Sequence, residues 1–125
     1  MTSGESIARE VLGALDAGDM ASVLRLMTDD VYFRFGSAEP TIGHEGVVQG
    51  VGALAPAVVS LSHEFLQIWT DDEPAGPVVM CEMDVTYQRR DGSALTLPAV
   101  DLFRLRDGLI ADCRVYMDVT PVFAP

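Results

Sequence analysis

The chain opens with apolar residues at helical spacing: Ile7, Val11, Leu12 and Leu15 fall on one stripe. Ser3 stands where it can cap that helix, and Glu5 suits the positive end of the helix dipole. Gly18 supplies a stop, and Asp19 can cap a second short helix carrying Val23, Leu24 and Met27. The period then changes to two. Residues 31–35 (VYFRF) alternate and are β-rich, so a strand is predicted there, followed by a turn-rich connection over 36–43. A third helix is expected from about His44 to Ala55, with Val47, Val51 and Leu54 facing inward and Pro56 ending it. Gly46, Gly50 and Gly52 weaken that helix, so tertiary packing must hold it.

From Val58 onward the pattern is strand after strand: 58–69, then a loop over 71–77, then 78–89, 95–105 and 109–119. Asp91-Gly92 and Asp107-Gly108 read as hairpin turns. No repeat, linker or low-complexity tract interrupts the chain, so residues 1–125 are expected to form one domain. Helices followed by a long antiparallel meander predict an α+β fold, with the helices covering one face of a curved sheet.

One acid breaks the apolar pattern. Asp101 lies within Pro98-Ala99-Val100-Asp101-Leu102-Phe103, and its direction depends on the turns beside it. If both Asp-Gly turns are two-residue loops, Asp101 faces Arg114 and Glu82 on a polar surface. If both are three-residue loops with a glycine bulge, Arg89 pairs with Ser93 and Leu105 with Leu109. Asp101 then lies between Cys81 and Cys113. Its face in that case is Cys81, Met83, Val85, Tyr87, Ala99, Phe103, Leu105, Ala111, Val115 and Met117, an apolar wall with a single acid. Both registers segregate the strands cleanly.

Hydrophobic residues make up 49% of the 125, enough for a compact core. The net charge of −11 repels phosphate backbones and anionic lipid, which argues against nucleic-acid and membrane-surface partners. The first residues lack the pattern of a secretory signal, and no apolar run approaches a membrane span. Two cysteines make no disulfide framework and have no metal-ligand spacing with the two histidines, so no metal site and a reduced cytoplasmic setting are expected. No phosphate loop, nucleophile elbow or dinucleotide motif is present, and no cofactor is expected.

Several motifs occur together in a fixed order: the LDAGD segment (15–19) before a short helix ending in Asp29-Asp30, Gly43-His44-Glu45-Gly46 at a helix start, and the closing FRLRDGLIADCRVYMD (103–118). In this order the chain resembles the nuclear transport factor 2-like superfamily, in its SnoaL-like and ketosteroid-isomerase-like branch. The resemblance implies a cone-shaped α+β roll with a deep apolar pocket between sheet and helices, and a homodimer. It also favours the bulged register, which puts Asp101 in the pocket. There it takes the place of the protonated Asp of ketosteroid isomerase, an acid kept neutral by its apolar site. That enzyme's base and Tyr correspond to Phe35 and Val11 here, which move no proton. The acids and arginine of limonene-epoxide-hydrolase relatives correspond to Asp84, Val115 and Glu82, and their water-positioning Tyr and Asn to Phe33 and Phe35.

Three function classes follow. The first is a cofactor-free enzyme isomerising, cyclising or dehydrating a small hydrophobic carbonyl compound, with Asp101 and His63 as its acid–base pair. The second is a binding protein that holds a small apolar ligand without turnover; a pure dimerisation module is a third. The residues expected to line the pocket are Phe33, Phe35, Trp69, Val85, Tyr87, Phe103, Cys113, Val115 and Met117, and Tyr32 or Tyr87 can offer it a hydroxyl. The outer sheet face, with Val100, Leu102 and Tyr116 beside Glu82, Asp84, Arg104 and Arg114, suits a subunit interface. In the bulged register Cys81 and Cys113 are about 9–10 Å apart, beyond disulfide reach.

Overall fold

A computed structural model describes residues 3–125. Helix α1 (Gly4–Asp16) is capped by Ser3, whose hydroxyl accepts from the Ser6 amide, and α2 (Met20–Arg25) by Asp19, whose carboxylate accepts from Ser22. Gly18, with φ of 73°, makes the turn between them. The strands are β1 (Met27–Phe35), β2 (Thr41–Ile42), β3 (Val58–Glu73), β4 (Gly76–Arg89), β5 (Ala94–Arg106) and β6 (Leu109–Tyr116). Helix α3 (His44–Gly52) lies between β2 and β3, and a short α4 (Thr120–Phe123) follows β6. One curved six-stranded sheet runs in the order β2-β1-β6-β5-β4-β3. Helix α1 crosses β3 and β4, and α3 packs on β1.

The architecture is α+β, as expected, with four departures in detail. Met27, Asp29 and Asp30 belong to β1 rather than to the second helix, because the edge of β6 offers their backbone a partner: Met27 pairs with Ile110, and the Ile110 amide donates to Leu26. The β1–β6 pairing is parallel, so the sheet is mixed rather than wholly antiparallel. Residues 71–73 extend β3, which pairs with β4 as far as Glu73 and Gly76, so the loop shrinks to Pro74-Ala75. The last strand stops at Tyr116, and α4 follows.

The two Asp-Gly turns are not alike. At the first, the Arg89 amide donates to the Ser93 carbonyl and Gly92 has φ of 89°, a three-residue loop. At the second, Asp107 (φ 54°) and Gly108 (φ 78°) form a two-residue loop of type I′ character, and Arg106 pairs with Leu109. A bulge at Ala111 then shifts the pairing, so that Phe103 meets Cys113 and Asp101 meets Val115. The bulge restores the parity that a two-residue turn alone would have lost. Asp101 therefore faces inward with Cys81 beside it on β4, but its neighbour on β6 is Val115 instead of Cys113, and Ile110 replaces Ala111 on the buried side.

A second bulge, at Leu66, decides the fate of Trp69. Phe65 pairs with Met83 and Gln67 with Glu82, so side chains beyond Leu66 reverse their facing. Ile68 turns inward, and Trp69 stands outside at 47% exposure opposite Met80. The expectation that Trp69 lines the pocket is thereby corrected.

Two buried clusters fill the space between sheet and helices. The larger joins Ile7, Val11 and Leu12 of α1 to Val79, Cys81, Met83, Phe103 and Ile110 of the sheet. The smaller joins Leu54, Val58, Val85, Tyr87 and Ala99 to Val122 of α4. Arg89 holds α4 in place by donating to the carbonyls of Pro121 (3.4 Å) and Ala124 (2.8 Å).

Candidate active site

Between the two clusters lies a cavity walled by α1, α3 and the inner face of the sheet. Phe33 and Phe35 come from β1, Val85 and Tyr87 from β4, Phe103 from β5, and Cys113 and Val115 from β6; Met117 follows β6. All these expected pocket residues line it; Trp69 does not. The cavity holds about 60 Å³ of free space, less than the roughly 150 Å³ that accommodates a benzene ring, so a six-membered ring enters only as the wall gives. Val122 packs on Leu54, Val85, Tyr87 and Ala99, all of which also line the cavity, so α4 covers that end.

Asp101 and His63 stand on this wall. Asp101 is 3% exposed, and burial alone pushes its carboxyl up to about 7, because no cation or hydrogen-bond donor among the described residues offsets the lost hydration. Near neutral pH the acid is therefore poised between a neutral hydrogen-bond donor and a base. The two thiols beside it are not poised. Burial first, and then the charge of Asp101, pushes Cys81 up to about 12 and Cys113 well above its ordinary value. Both cysteines are free and buried. Tyr87 is likewise pushed up to about 12, by burial and then by Asp101, so its hydroxyl stays protonated; it donates to the Met117 sulfur at 3.3 Å, a weak acceptor.

His63 does not stand alone. Its Nδ1 lies 2.6 Å from one carboxylate oxygen of Asp16, and its backbone amide donates to the other at 2.9 Å. The carboxylate fixes the ring orientation and favours the tautomer with the proton on Nδ1, leaving Nε2 without a protein partner among the described residues. Asp16 is the last residue of α1, where the negative end of the helix dipole disfavours an anion. The paired bonds to His63 offset that cost.

Sequence reasoning alone did not assign Asp16 a role. Its one visible signal was an acid at a helix C-terminus, within the LDAGD segment. Other candidates fall outside the cavity. Tyr32 lies under the Arg114 guanidinium at 4.4 Å and contributes no hydroxyl to the cavity. His44 Nε2 sits 3.2 Å from the Met27 carbonyl and ties α3 to β1. Glu82 and Asp84 point away from the buried side of β4, so they cannot join Val115 in one site.

The comparisons agree with this architecture. A 1.30 Å structure of an NTF2-like protein of unknown function from Burkholderia pseudomallei superposes with a TM-score of 0.83 at 15% identity, covering 99% of this chain and 100% of that one. A candidate polyketide cyclase from Xanthomonas campestris gives 0.70 at 16% identity, over 94% and 91% of the two chains. An LEH-like epoxide hydrolase from M. tuberculosis gives 0.74 at 20% identity, over 94% and 84%. These identities establish shared fold only. A comparison with curated proteins finds no match. The sequence model of the SnoaL-like domain matches residues 8–113, which spans α1 through most of β6, and the chain belongs to the SnoaL-like domain family.

Proposed function

We propose that the protein catalyses cofactor-free acid–base chemistry on a small, neutral, hydrophobic carbonyl compound: an isomerisation, cyclisation or dehydration. The observation that carries this reading is that two proton-handling groups, Asp101 and the Asp16-oriented His63, both line one apolar cavity, on the strands that flank β4. In the proposed reaction His63 Nε2 takes a proton from the carbon next to the carbonyl. Protonated Asp101 donates a hydrogen bond to the oxygen as it gains charge, where a dry wall makes that bond worth most. Returning the proton from Nε2 to another atom of the same ligand completes an isomerisation with no net gain or loss. Among the described residues no Lys or Arg lines the cavity, so a carboxylate or phosphate ligand would enter unpaired.

A suitable probe is 3-cyclohexenone, whose conversion to conjugated 2-cyclohexenone is followed by ultraviolet absorbance. The wild type should accelerate it over buffer, and His63→Gln should lose about 10²–10⁴-fold of that rate. If 2-cyclohexenone binds but no ketone of this size reacts, a non-catalytic carrier of small apolar ligands is the correct reading. If neither binds nor reacts, both readings fail.

We also propose that the outer sheet face carries a second copy of the chain. Support comes from exposed Val100, Tyr116 and Trp69 beside Arg104, Arg114 and the acids Glu82 and Asp84, a mixed surface that a two-fold axis can pair with itself. Sedimentation should give twice the chain mass, and Tyr116→Arg should shift it to the monomer; a monomeric wild type would rule this out. The two buried free thiols suit a reducing, cytoplasmic setting.

A further inference from the structure

We propose that Asp16 passes protons between the His63 imidazole and bulk water through the wall of the cavity, so that the interior exchanges protons without opening. The proposal rests on the reading of His63 as an acid–base group, and it assigns Asp16 the work of a positioning and relay residue.

The observation behind it is a division of sides. His63 lines the inner cavity, whereas Asp16 does not. Asp16 instead lines a separate surface groove with Leu15, Gly18 and Asp19, and His63 is absent from that groove. The two spaces share one wall, made of Leu15, Val51, Leu54 and Leu61. Two polar links between His63 and Asp16 cross this wall, the backbone amide to one carboxylate oxygen at 2.9 Å and Nδ1 to the other at 2.6 Å, and of the two only the ring nitrogen can hand on a proton gained at Nε2. The exposures follow the same gradient: the His63 side chain is 8% exposed and that of Asp16 is 25%.

An interior acid–base group needs such a link. A proton gained inside an apolar cavity of this size has few waters to receive it, and α4 covers one end. Imidazole solves the problem by having two nitrogens. When Nε2 accepts a proton from the cavity, the Nδ1 proton moves to the Asp16 carboxylate and then to water in the groove. One proton has entered and one has left, and the dyad regains its charge. Run in reverse, water protonates Asp16, Asp16 protonates Nδ1, and Nε2 releases its proton into the cavity. Asp16 suits this role where a sealed carboxylate would not, because one side of it reaches solvent.

The test reads proton exchange at one ring and needs no turnover. Protein labelled with ¹⁵N-histidine reports the His63 tautomer, and saturation transfer from water reports the exchange rate of its ring N–H. In Asp16→Asn the amide oxygen can accept from Nδ1–H only by giving up the bond from the His63 backbone amide, so the ¹⁵N shifts first establish that the Nδ1–H tautomer is kept, and in that tautomer exchange should slow by about a hundredfold for want of a relay. Asp16→Glu should restore part of the rate. A merely structural Asp16 would leave the exchange rate of a folded Asp16→Asn unchanged, and that result overturns the proposal. Should Asp16→Asn fail to fold, the wild type under xenon decides the matter, because xenon enters apolar cavities. Exchange that persists with the cavity filled supports a passage through Asp16; exchange lost in step with xenon occupancy refutes it. Neither arm depends on whether 3-cyclohexenone reacts, so failure of the relay and failure of the proposed function are told apart.

Discussion

Replacing Asp101 by Asn converts a carboxyl that titrates into an isosteric amide that does not, and its consequence for stability has a definite sign. In the unfolded chain the Asp101 carboxyl titrates near 3.8; in the fold, burial pushes it up to about 7. Well below the unfolded value of 3.8 both states of the wild type carry a neutral Asp101, and the variant and wild type differ only by amide against acid. Between pH 4 and 7 the unfolded chain ionises freely while the folded one resists, so the wild type loses stability as pH rises. Above 7 the loss is complete. A difference of about three pKa units at 1.36 kcal/mol each amounts to ~4 kcal/mol. The gap between Asp101→Asn and wild type should therefore widen by ~4 kcal/mol in favour of the variant from pH 4 to pH 8. All other titrating groups are common to both proteins and cancel. Urea unfolding at each pH reads the effect directly: for a slope of about 1–3 kcal/mol per molar, the midpoint gap should open by more than ~1 M. A gap that stays flat across this range would mean that Asp101 is solvated or paired, and the cavity account of it would fail.

Two other outcomes follow from packing. Gly50→Ala places a Cβ 2.5 Å from Cε2 of Phe33, a ring that lines the cavity. The variant should lose ~1–3 kcal/mol on urea unfolding and bind 2-cyclohexenone more weakly, because the ring that must shift is part of the cavity lining. Cys81 and Cys113, buried and with raised thiol pKa values, should react with a thiol-directed reagent only as fast as the protein unfolds. Rapid native-state labelling would contradict their burial.

Much of the fold was legible because local chemistry and tertiary structure agree. Ser3, Asp19 and Gly18 act as the cap and stop residues that their types suggest, and the β4 alternation Val79, Cys81, Met83, Val85, Tyr87 is the buried face. What escaped was the bulges. Nothing in Leu66 or Ala111 marks either as an extra residue, because a bulge is selected by how the whole strand fits its partner. One bulge turned Trp69 out of the cavity. The other rescued the facing of Asp101 after a turn of the other type, so the inward direction was right while the named neighbour on β6 was two residues off. The Asp16–His63 contact spans 47 positions, and no spacing rule reaches that far. Only the unusual placing of an acid at the end of α1 hinted that a distant partner was compensating for it.

The central claim is that Asp101 and His63 serve one ligand in one cavity. It is tested most directly by titrating ¹³C-aspartate, ¹⁵N-histidine protein with 2-cyclohexenone. The account predicts that the Asp101 carboxyl carbon and the His63 Nε2 shift together along one saturation curve, while His44 stays still. Shifts confined to one of the two groups, or to residues of the outer face, would contradict it.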